Sequence, residues 1–132
     1  MKKRVDSLMR IGKLAAQMHD LGRWRLSKIE RERASLRDDL RAVFEALERG
    51  ELAYGAHAKL SGRRIRGLQK QLDTLASESE RVQRAAHGHG MRARLAERAA
   101  ETADKAYREH EARKELADLI ERALMRRDAS QG

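Results

Sequence analysis

Two histidines stand two residues apart in His87-Gly88-His89-Gly90, a pairing that can contribute to a zinc or nickel site. A metal centre needs three or four ligands, however, and the chain has no cysteine, while His19, His57 and His110 are distant in sequence. The pair is read as polar filler in a glycine-interrupted stretch, and no metal or cofactor is expected. A second cluster, Ser61-Gly62-Arg63-Arg64-Ile65-Arg66-Gly67, sets three arginines among two glycines. Guanidinium groups take phosphate or carboxylate in bidentate fashion. The run lacks the lysine–serine/threonine ending of a nucleotide-binding loop. It reads as a solvated turn, a contact for an acidic protein, or a nucleic-acid contact, with Tyr54 the one nearby aromatic able to stack on a base. Glu109, Glu111 and Glu115 lie among Arg108, Arg113 and Lys114. At three- and four-residue spacing on a helix these are ion pairs rather than acid–base machinery. With no nucleophile–base arrangement in view, the chain is read as non-catalytic.

The remaining candidates are partner contacts. Trp24, Phe44, Tyr54 and Tyr107 are all the aromatic residues present. Large aromatics and arginines dominate the energetics of interfaces. Trp24, Phe44, Tyr54, Tyr107, Arg63, Arg64 and Arg66 are therefore the candidate partner-binding residues. Trp24, between Arg23 and Arg25, either packs across a helical seam or projects as an anchor, with seam packing preferred. Phe44 and Tyr54 either cap a hairpin core or face a partner.

These residues need elements to hold them, and the pattern gives helices. There is no proline, the strongest breaker of a helix interior. From Leu8 to Leu47 the large apolar residues recur mostly at steps of three, four or seven. Ile11, Leu14, Met18 and Leu21 suggest one seam and Ile29, Leu36, Leu40, Val43 and Leu47 another, with a register slip around Gly22. The eleven-residue spacing of Met18, Ile29 and Leu40 suggests a straighter coil than a strict heptad gives. Gly50, Gly55, Gly62 and Gly67 then mark the weakest helical stretch, since each glycine costs a helix interior about 1 kcal/mol against alanine. A second pattern runs through Ile65, Leu68, Leu72, Leu75 and Val82, pauses at residues 87–90, resumes at Met91 and Leu95, and becomes alanine-rich at Ala99, Ala103 and Ala106. It closes with Leu116, Leu119, Ile120 and Leu124.

The expected fold is all-α, a long antiparallel two-helix coiled-coil hairpin forming a single domain over 1–132. Helix one spans about 4–49, the turn about 50–63 and helix two about 64–127, either kinked or broken near residues 87–90 or continuous through them. Ser61 is a candidate cap for helix two. The longer second arm overhangs the first, and its uncovered C-terminal end is an expected binding surface.

Charge narrows the partner. Residues 1–50 carry 13 Lys/Arg against 8 Asp/Glu and residues 51–94 carry 9 against 4, whereas residues 95–132 carry 8 against 9. The basic surplus thus occupies the first two-thirds, and 22 of the 30 basic residues are arginine. Such a surface attracts an acidic protein, nucleic acid or anionic lipid. No apolar run approaches the ~20 residues that span a bilayer. The basic start Met1-Lys2-Lys3-Arg4 is followed by Asp6, Ser7, Arg10 and Lys13 rather than by the apolar core of a signal peptide. Absence of cysteine fits a reducing compartment, and a cytoplasmic location is expected.

The N-terminal pattern Lys3-Arg4-Val5-x-x-Leu8-x-x-Ile11 and the C-terminal stretch Ala106-Tyr107-Arg108-Glu109-His110-Glu111-Ala112-Arg113-Lys114-Glu115-Leu116-Ala117 resemble the FliJ-like proteins of flagellar and type III export. The resemblance implies a coiled-coil stalk that inserts into the ring of the export ATPase, touches the export gate and escorts export chaperones. It also implies a position peripheral to the inner membrane. Two alternatives stand beside it: a basic coiled-coil nucleic-acid binder, and a homo-oligomeric scaffold whose exposed seam pairs with itself.

Overall fold

The computed structural model describes residues 1–50 and 56–131, and the fold is all-α: two long helices packed against each other. α1 spans Lys2–Glu48 and α2 spans Ala56–Gln131. α1 begins without a side-chain cap, its ladder reaching back through a Val5 N–H to Met1 carbonyl bond of 3.2 Å. It ends where Gly50 turns to a φ of +75°, a conformation that glycine adopts without the steric cost other residues meet. There the Gly50 N–H donates to the Leu47 carbonyl at 3.0 Å and the Arg49 N–H to Glu45 at 3.0 Å, closing the last turn.

The expected turn at 50–63 is too long at its far end. α2 is already helical at Ala56, and Ser61, expected as a cap, is a buried position inside the helix. Gly62 and Gly67 suggested a turn, yet both lie in α2, carried by the buried Ser61 and Leu68 and half-buried Ile65 around them. Of the two readings open at residues 87–90, the continuous helix is the one found, since α2 runs through them uninterrupted. One of those glycines has a packing reason. A Cβ on Gly90 would lie 3.0 Å from His19 Nδ1, so its absence makes room for the imidazole.

Burial follows a strict heptad on both helices. On α1 the covered positions step alternately by three and four from Val5 through Leu8, Gly12, Ala15, His19 and Gly22 to Leu47. On α2 the same steps run from Ser61 through Leu68, Ser79, Ala86, Ala96 and Ala100 to Tyr107. That alternation is the coiled-coil repeat. The expected seam of Ile11, Leu14, Met18 and Leu21 is therefore off by one residue; these side chains are 41–61 % exposed. No register slip occurs at Gly22, which is itself a buried seam position, and the eleven-residue spacing plays no part. Leu95, Ala99 and Ala106 are displaced from the α2 seam in the same way and Met91 by two residues, and Ala93, Ala96, Ala100 and Ala103 occupy it. The physical reason is close approach. A Cβ on Gly22 would sit 2.7 Å from the Ala86 Cβ, and one on Gly12 would sit 3.3 Å from the Ala96 Cβ. Small residues bring the backbones together, and the larger neighbours one position earlier are left outside.

The chain divides into two compact units. One, Gln17–Gly90, is a helical hairpin in which Gly22 meets Ala86 and Leu36 lines a groove with Gly67 and Leu75, an antiparallel arrangement. Ile29 and Leu68 are its best-covered large side chains, at 5 % and 6 % exposure. The other unit joins Met1–Ala16 to Met91–Gly132, with Val5, Ala15, Ala96 and Ala100 buried. Met1 and Arg4 lie beside Ala99, Ala103 and Ala106, again antiparallel to the Gly12–Ala96 contact. Beyond that level α2 has no counterpart from α1 in this unit, and every residue from 112 to 130 is exposed.

Candidate partner-binding surfaces

Trp24 stands on the outside of α1, 56 % exposed, contrary to the preferred seam placement. In the heptad it falls two positions before the covered Leu26, on the face turned away from α2. Lys28 Nζ hovers 5.7 Å from the centroid of its ring, a cation–π contact one helical turn along. With Arg23 and Arg25 beside it, the indole is an apolar plate in a cationic frame. Phe44 is also exposed, at 45 %, in a shallow recess with Arg37, Arg41 and Glu45. Twenty helical residues separate Trp24 from Phe44, about 30 Å at 1.5 Å per residue, so they form two contact points rather than one pocket.

Arg63, Arg64 and Arg66 are exposed, as proposed, but on the early turns of α2 rather than on a loop. At about 100° per residue Arg63 and Arg66 share one face, about 60° apart, while Arg64 points about 100° to the other side of Arg63, so the three do not converge on one phosphate. Tyr54 lies outside the described residues. Tyr107 is half-buried and takes the last seam position of α2, so its ring is turned toward the packing of its own unit. Trp24, Phe44 and the three arginines belong to the hairpin unit and Tyr107 to the other.

The histidine pair is separated by the helix itself. His87 is exposed and His89 is half-buried on the seam side, because residues two apart on a helix face in opposed directions. Among the described residues no group of three or more His, Cys, Asp or Glu is placed to hold a metal ion. Intrahelical ion pairs do form at the expected spacings, with Arg33 on Glu30 at 2.7 Å, Arg41 on Asp38 at 4.0 Å and Arg108 on Asp104 at 3.1 Å. Arg108 thus pairs back toward Asp104 rather than forward into the Glu109–Glu115 run. No helix among the described residues is long and apolar enough to cross a membrane.

Two features escaped the sequence. His19 occupies a seam position and donates from Nδ1 to the Ala86 carbonyl at 2.8 Å, a side-chain bond between the two helices. A carbonyl only accepts, so the proton resides on Nδ1 in this contact. Its signal was the heptad spacing from Val5 and Gly12, which a search for large apolar residues passes over. The second is Arg33, also on the seam, with its side chain 23 % exposed and its Nε buried without a hydrogen-bond partner. Leu116, Leu119, Ile120 and Leu124, expected to close the seam, are instead 53–59 % exposed. No family model, no curated protein and no solved structure matches the chain.

Proposed function

We propose that this chain is a non-catalytic coiled-coil adaptor that binds partner proteins along the outer faces of its helices. The observation that carries this reading is Trp24, an indole held outward on a rigid helix and framed by Arg23, Arg25 and Lys28. Exposing an indole leaves its apolar area in water, and Trp and Arg are the residues most enriched among the anchors of protein interfaces, while the cations around it suit an acidic partner surface. The surplus of positive charge over residues 1–94 speeds encounter with such a partner. The N- and C-terminal patterns narrow the partner to a flagellar or type III export system. There the chain would serve as a stalk against the export ATPase, the gate or an export chaperone.

Affinity capture from nuclease-treated lysate of the host tests this, using the tagged full chain and its Trp24→Ala variant. Recovery of an export ATPase, gate component or chaperone by the wild type, reduced at least tenfold by the substitution, is the expected result. Loss of every specific protein after nuclease, with nucleic acid in the untreated control, would overturn it. That outcome would favour the second reading, for which the exposed Arg63, Arg64 and Arg66 speak: a basic nucleic-acid binder. Its affinity would fall with salt at about 0.9 log unit per phosphate contact for each log unit of salt.

A further inference from the structure

The end of α2 carries an apolar stripe that does not belong to the seam. Continued past Tyr107, the seam's steps land on His110, Lys114, Ala117, Glu121 and Leu124, three of them polar. Four apolar residues follow another phase, Ala112, Leu116, Leu119 and Ala123, about 200° around the helix from those positions at 100° per residue. Leu116 and Leu119 are each 59 % exposed, and Ile120 flanks them at 53 %. A longer α1 would cover the seam face and leave this one in water.

We infer that this stripe is a dimerisation face, and that its occupant is the same segment of a second copy running antiparallel. Two observations select that occupant. The first is the spacing: with Glu109 and Arg126 at its ends, the stripe steps by three, four, three, four and three, and so reads the same in either direction. Reversed onto itself it sets Leu116 against Leu119 of the second copy and Ala112 against Ala123 of the second copy. The second is the charge. Residues 109–121 hold five acidic and two basic side chains, and residues 122–130 hold three basic and one acidic. Antiparallel pairing brings Glu109 to Arg126 of the second copy and Glu115 to Arg122 of the second copy, twice over by symmetry. Parallel pairing would put glutamate on glutamate and arginine on arginine.

The pairing is isologous and two-fold, so assembly stops at the dimer. Its seam, Glu109 to Arg126, covers 18 residues, about 27 Å and about two and a half heptads, a short coil that dissociates on dilution. This is also the one third of the chain without a basic surplus, where two copies meet without strong repulsion.

Sedimentation equilibrium of the full chain, from low to several hundred micromolar, tests the inference. The wild type is expected to pass from monomer to dimer, and Leu116→Asp is expected to remain monomeric. Glu115→Arg and Arg122→Glu singly are expected to raise the dissociation constant on the order of tenfold, since each reversal acts at both symmetry-related pairs. The double variant Glu115→Arg/Arg122→Glu restores wild-type affinity, because the charges exchange places. Unchanged helicity by circular dichroism in each variant separates lost pairing from lost folding. A wild type that stays monomeric throughout, larger oligomers than dimer, or a dimer indifferent to the charge reversals would overturn the proposal.

Discussion

Gly22 and Gly67 are both interior helix glycines, yet their surroundings give them opposite roles. A methyl on Gly22 would collide with Ala86 at 2.7 Å, whereas nothing lies within 4 Å of the corresponding point on Gly67. Gly22→Ala gains about 1 kcal/mol of helix propensity but overpacks the seam, a cost of about 1–3 kcal/mol. Gly67→Ala keeps the gain alone. Urea unfolding followed by circular dichroism should therefore show Gly22→Ala destabilised and Gly67→Ala stabilised by about 0.5–1 kcal/mol. Arg33 supplies a second residue-scale prediction. Its Nε is buried without a partner, and its guanidinium reaches out of the seam only to Glu30. Arg33→Leu should raise stability by about 1 kcal/mol, because replacing a partly buried ionic group by an apolar one of similar bulk is often stabilising. A lower denaturation midpoint for Arg33→Leu would show that the ion pair contributes more than its burial costs.

At the scale of elements, the existence and pairing of two long helices were legible in the sequence, because periodicity and the lack of proline both point there. The seam was legible after Gly22 but not before it. Between Val5 and Leu26 the facing residues include Gly12, Ala15, His19 and Gly22, none of which carries a strong apolar signal, and the eye follows Ile11, Leu14, Met18 and Leu21 instead. The same error of one residue recurs on α2, where Ala96 and Ala100 are covered and Leu95 and Ala99 are not, and Met91 falls two residues before the covered Ala93. Glycine also misplaced the boundaries, since propensity costs of about 1 kcal/mol each are small beside the packing of a continuous face. Of the candidate contacts, residue type found Trp24 and Phe44, but only the heptad phase shows that they face outward and that Tyr107 does not. The corrected register is directly testable in a chain without cysteine. Gly12→Cys with Ala96→Cys should form a disulfide under mild oxidation, the Cβ positions being 3.3 Å apart and near the usual range. Leu14→Cys with Ala96→Cys should stay reduced, because residue 14 is exposed.

The whole molecule carries two kinds of apolar surface. The heptad seam from Val5 to Leu47 and from Ser61 to Tyr107 is covered, while Trp24 and the C-terminal stripe stand exposed, the two surfaces proposed above for partners. Alanine and glycine seams bury little area per residue, so even the fold is expected to be modestly stable. An unpaired helical end of some 22 residues, without tertiary packing, opens far more readily than paired helix. Hydrogen exchange read by mass spectrometry on the full chain, dilute and then concentrated, measures this separation most directly. Protection is expected across peptides from residues 5–47 and 61–107 at every concentration, with rapid exchange over 109–130 in dilute solution. Protection over 109–130 is expected to rise on concentration. Equal protection of the seam and the C-terminal end in dilute solution, or a seam that exchanges as fast as that end, would contradict the division on which the account rests.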